Sequence, residues 1–102
     1  MMLSGKDRAA LRGEAHHLVP LVHVGQHGLS PTLIETLDDA LRTRELVKVQ
    51  LGRRVDQSPK DAARELATAT DAEVVQVIGR TATFYRRNPE LEWKDDVPPW
   101  RA

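Results

Sequence analysis

Two Ser-Pro pairs, Ser30-Pro31 and Ser58-Pro59, mark two helix starts in this chain. Each sets a helix-capping hydroxyl beside a proline at the first helical position, where the missing N–H is no loss. A short apolar run precedes each pair: "LVHV", Leu21 to Val24, and "LVKVQL", Leu46 to Leu51. Beyond Pro31, Ile34, Leu37 and Leu41 recur at helical spacing, and Arg42 and Arg44 lie where cations suit the end of a helix dipole. Beyond Pro59, Ala62, Leu66 and Ala69 form the expected buried side. Strand–helix–strand units of this kind predict parallel pairing.

The flanking segments complete the pattern. "SGKDRAALRGEAHHL" predicts a helix with Ser4 as its cap, Asp7 three residues on, and Leu11, Ala15 and Leu18 facing the core. Pro20 ends that pattern, and "LVHV" then reads as a buried strand. In "LVKVQL", Val47, Val49 and Leu51 share one face. "EVVQVIG" and "TATFYRR" predict two strands joined as a hairpin at Gly79-Arg80, with Phe84 in the core and Tyr85 packed against a helix. The expected fold is α+β, in the order α-β-α-β-α-β-β, with a four-stranded mixed sheet. Right-handed crossovers would put the second and third helices on one face. The pattern leaves the first helix unplaced.

A chain of 102 residues suits one domain, and 40% apolar residues suffice for a core. Absence of cysteine excludes disulfides and thiolate chemistry. The start, "MMLSGKDRAALR", lacks the apolar region of a secretory signal, and Leu18 to Val24 is too short to cross a bilayer. The expectation is a cytoplasmic protein without a membrane partner. Net charge is zero, with 15 basic and 15 acidic residues, so an anion-binding face must come from clustering. His16, His17, His23 and His27 match no structural zinc spacing, so no metal or other cofactor is expected. Asp38-Asp39 and Asp95-Asp96 are adjacent pairs poorly arranged for joint acid–base work, and no nucleophile elbow occurs; the expectation is not an enzyme. Arg53-Arg54 and Arg86-Arg87 read as solvated rim residues at strand ends.

Residues 88–102, "NPELEWKDDVPPWRA", change character. The segment is acidic and holds both tryptophans, which predicts partial docking of Trp93 or Trp100. Residues 1–87 form the expected domain and 88–102 a tail.

Between the first predicted strand and the second helix lies Gly25-Gln26-His27-Gly28. A Gly-x-x-Gly loop lets a backbone approach another chain closely. The helix start beyond it offers unpaired N–H groups and a positive dipole end. KH domains clamp a nucleic-acid backbone with such a loop. On spacing alone, a plain strand-to-helix turn is the favoured reading.

Three stretches in order, "LRGEAHHLVPLVHVGQHGLSPTLIETLDDAL", "ELVKVQL" and "EVVQVIGRTATFYRR", resemble the YhbY family. This is the stand-alone bacterial form of the chloroplast RNA splicing and ribosome maturation (CRM) domain. The resemblance spans Leu3 to Arg87. It implies a fold like the C-terminal domain of translation initiation factor three. It further implies RNA binding, with ribosomal RNA of large-subunit precursors as partner and ribosome assembly as the role. Carried onto this sequence, the RNA-contacting residues are Gly25, Gln26, His27 and Gly28, with Lys6, Arg12, His16 and Lys48 flanking them. The family's loop often holds a lysine where this chain has Gln26 and His27. A monomer is the favoured state. The alternative reading, from the tail, is a protein-interaction adaptor.

Overall fold

Serine caps open all three helices in the computed structural model, which describes residues 3–53 and 55–101. Helix α1 (Gly5–Ala15) begins behind Ser4, whose hydroxyl accepts from the Asp7 amide while the Asp7 carboxylate accepts from the Ser4 amide. Helices α2 (Pro31–Arg44) and α3 (Pro59–Thr70) begin behind Ser30 and Ser58, which accept from the Leu33 and Asp61 amides. Their ends are less regular. Glu45 and Asp71 close α2 and α3 with φ of 64° and 55°. Aspartate tolerates that region, but for glutamate it is uncommon.

Four strands form one mixed sheet: β1 (Val22–Val24), β2 (Leu46–Leu51), β3 (Glu73–Ile78) and β4 (Thr81–Tyr85). Their spatial order is β1-β2-β4-β3. β1 pairs parallel with β2 and, as the hairpin signal predicts, β4 pairs antiparallel with β3. The second strand–helix–strand unit departs from expectation. β2 and β3 run in the same direction but do not pair, because β4 lies between them and bonds antiparallel to both. β1 is an edge strand rather than a buried one: Leu21 is 47% exposed, His23 is exposed, and only Val22 and Val24 face inward.

Strand alternation sorts the side chains onto two faces. Val22, Val24, Val47, Val49, Leu51, Ala82 and Phe84 pack under α2 and α3, against Leu37, Leu41 and Leu66. The buried side of α3 is Ala62, Ala63, Leu66 and Thr70. Ala69 is exposed, because the contact row runs through positions 63, 66 and 70 and leaves 69 on the flank. The Thr70 hydroxyl donates to the Leu66 carbonyl, which makes its burial tolerable. On the other face, Leu11 of α1 packs with Leu46, Val75 and Tyr85, and Leu18 joins from the turn beyond the helix. Among the described residues, no helix is long and apolar enough to cross a membrane.

Both tryptophans of the tail dock. Trp100 meets Tyr85 and Trp93 edge to face, at ring-centre distances of 5.8 and 5.6 Å. The Trp93 indole N–H donates to Glu45 at 2.8 Å, and the Arg87 guanidinium lies over the Trp93 ring. Glu45 is fully buried and also accepts from Arg87 and from the Asn88 amide. Arg86 pairs with Asp38 at 2.7 Å and donates to the Thr70 carbonyl. Arg86 and Arg87 are therefore inward-facing clamps, not solvated rim residues. Their strand ends where α2 and α3 end, so carbonyls and carboxylates surround them. Of the other arginine pair, Arg53 is exposed and Arg54 lies outside the described residues.

Candidate functional site

Three turns meet at one end of the sheet. The carboxyl end of β1 leads into the 25–28 loop, the carboxyl end of β2 into Gly52, and the β3–β4 hairpin turns at Gly79 and Arg80. Backbone hydrogen bonds tie these turns together. The Gly52 amide donates to the Val24 carbonyl at 2.9 Å, and the Leu51 amide donates to the Arg80 carbonyl at 2.7 Å. The Arg80 side chain reaches back to the Gly52 carbonyl at 2.8 Å. Gly52 is required for this closure, since a Cβ there would lie 2.6 Å from the Val24 carbonyl oxygen.

The loop itself is a tight turn. The Gly28 amide donates to the Gly25 carbonyl at 3.0 Å, and Gly28 has φ of 62°, which glycine adopts without strain. Gly25, Gln26 and His27 are exposed. The amides of Gln26, His27 and Thr32 have no acceptor among the described residues. The helix start contributes less than the sequence suggests. Pro31 has no N–H, and Ser30 occupies the Leu33 amide with its hydroxyl and the Ile34 amide with its carbonyl. The strong cap that makes α2 legible also satisfies the groups an anion would use.

The predicted flanking residues do not converge on the loop. Lys48 lies in the middle of β2, opposite Thr83, three residues or about 10 Å of strand before Leu51. Lys6 and Arg12 on α1, and His16 just past its end, are exposed; the helix packs over Leu46 at the other end of β2, about 17 Å of strand away. Arg8, four residues before Arg12, is tied to the Val74 carbonyl and to Glu73. Arg12 and His16 continue that flank of the helix, away from Asp7, Ala10 and Glu14, which border the tail.

Between α1 and the loop, the sheet face is polar. His23, Lys48, Gln50, Gln76, Thr81 and Thr83 stand on this side, in cross-strand pairs His23–Gln50, Lys48–Thr83, Gln50–Thr81 and Gln76–Thr83. The Thr81 hydroxyl donates to Gln50 at 3.1 Å. Of this row, sequence reasoning named only Lys48 as a contact; it missed the others and Arg80. The alternation in "LVKVQL" and "TATFY" carries the signal for the polar row. Arg80 becomes visible only once the hairpin is paired to β2.

Residues 3–86 match the model of the CRS1/YhbY (CRM) domain. The chain is 36% identical over 89 residues to the probable RNA-binding protein YqeI of Bacillus subtilis, covering 87% of this chain and 93% of that protein. It is 33% identical over 96 residues to an RNA-binding protein of Haemophilus influenzae, covering 94% and 95%. The solution structure of the hypothetical protein SAV1595 of Staphylococcus aureus superposes with a TM-score of 0.77 at 37% identity, covering 96% of this chain and all of that one.

Proposed function

The chain belongs to the CRS1/YhbY (CRM) domain family, and on that premise we propose that it is a non-catalytic RNA-binding protein. Its target in this reading is ribosomal RNA in large-subunit precursors, and its role is to assist assembly in the cytoplasm as a monomer. The amides of Gln26 and His27, in exposed residues of a glycine-flanked turn and without an acceptor among the described residues, are the observation that carries it. Ligands of open α/β sheets gather outside the carboxyl ends of the parallel strands, and the 25–28 loop stands there. Phosphate would sit on the loop amides. Arg53 and Arg80 would supply charge nearby, and the polar row with Lys48 would track the adjoining strand. Few cations are involved, so affinity should fall only gently with salt.

A gel-shift titration with structured ribosomal RNA tests this reading. Gly25→Asp is the informative variant, since open space surrounds the position and a carboxylate there opposes phosphate. Binding should weaken about tenfold or more, equivalent to ~1.4 kcal/mol. Equal binding by the folded variant removes the loop from the mechanism. Sucrose-gradient fractionation of cell extract, blotted for the protein, tests the ribosomal target; absence from large-subunit precursors would refute it. In the adaptor reading a partner would have to meet a tail whose two indoles already pack on the chain itself.

A further inference from the structure

Beside the amino end of β1, away from the loop, lies a cavity of about 170 Å³. His17, Arg44 and Lys48 line it together with Leu21, Leu46 and the Trp100 indole. No acidic residue is among the described residues on its wall. Arg44 and Lys48 form no ion pair among the described residues. Trp100 is fixed edge-on by Tyr85 and Trp93, and its ring N–H is buried without an acceptor. It also lies beyond residues 3–86, the part matched by the family model.

The lining specifies an occupant. The cations offer donors to an anionic, acceptor-rich group, while the indole, Val19 and three leucines, Leu18, Leu21 and Leu46, offer apolar area. The volume falls well below the ~300 Å³ at which drug-sized sites begin, so it suits one flat ring system. Unpaired nucleotides are held in this manner, by an aromatic ring against the base and cations at the phosphate. We infer that this cavity takes one unstacked nucleotide of a bound RNA, its base against Trp100 and its phosphate between Arg44 and Lys48. The inference rests on the RNA-binding reading above and adds a preference for unpaired segments. Lys48 belongs to both surfaces: its strand leads from the cavity to the loop.

Anisotropy titrations of the full chain with two labelled RNAs test it, one a hairpin with an unpaired loop and one a blunt duplex of equal length. Arg44→Gln and Trp100→Ala should each weaken hairpin binding about tenfold and leave duplex binding within about twofold. Arg64→Gln, a charge-matched change on α3, should leave both within about twofold. Gly25→Asp should weaken both RNAs. Trp100→Ala also loosens the tail, so Arg44→Gln, whose side chain is exposed, carries the test on an intact fold. Wild-type hairpin affinity in Arg44→Gln and Trp100→Ala, with Gly25→Asp impaired, overturns the cavity proposal and leaves the RNA reading standing. If the wild type binds neither RNA, the RNA reading falls and this inference with it. Uridine monophosphate serves as the third probe. Saturation by it at the hairpin's affinity assigns the cavity to free nucleotides and overturns the RNA-bound form.

Discussion

The two ends of the sheet treat their polar groups in opposite ways. At the tail end, one buried carboxylate, Glu45, is met by a guanidinium, an indole N–H and a backbone amide. At the loop end, the amides of Gln26 and His27, in exposed residues, have no acceptor among the described residues. A buried charge is tolerable only when fully partnered, whereas an exposed amide loses little by bonding to water. The first arrangement holds the chain to itself. The second leaves donors available to another molecule.

Removing the Glu45 carboxylate should produce the largest effect. Glu45→Ala strands the Arg87 guanidinium and the Trp93 indole, and should cost about 3 kcal/mol in urea denaturation. RNA binding at the loop end should survive in conditions where the variant stays folded. Loss of both together would show that the ends are coupled. Gly52→Ala attacks the other end. Its Cβ would collide with the Val24 carbonyl, so β1 must move away from β2 at a cost of about 1–3 kcal/mol. Here RNA affinity should fall with stability, because the displaced strand carries the loop.

The smallest effect is the pH response of the tail end. A hydrogen bond from Arg101 holds the Glu14 carboxyl below its ordinary range, outweighing an opposing effect of burial. A lowered folded value means that this contribution is present above the unfolded pKa, near 4.3, and is lost as pH falls through the folded one. Burial, then the charge of Glu45, raises the Tyr85 hydroxyl above its ordinary range. Its contribution is intact below about pH 10 and is lost as pH rises through the folded value. Tryptophan emission should therefore report a docked tail across neutral pH and release at both extremes. Release at one extreme only would show that a single contact dominates.

The same two regions differ in how legible they are. The 25–28 loop and the serine caps are local: a few adjacent residues decide each, so the sequence displays them. The family resemblance rests on such stretches, and the residues matched begin at Leu3 as read. The tail end depends on residues 45, 87, 88 and 93 meeting, which no local pattern announces. Arg86-Arg87 therefore look like solvent-facing charges until the ends of α2 and α3 are placed around them. Ala69 looks buried because a helical stripe is wide enough to include it, and packing alone chooses which row is used. Strand–helix–strand units show direction but not adjacency, so the entry of β4 between β2 and β3 is invisible. The same limit hides Arg80, whose place beside Gly52 follows from that pairing.

That central placement of β4 also bears on the order of events during synthesis. Among the described residues, the strand made last lies between the β1–β2 ribbon and β3, so the sheet cannot close until residues 81–85 are available. A growing chain must hold two unfinished edges apart, and the final strand must then find both neighbours, one of them more than thirty residues back along the chain.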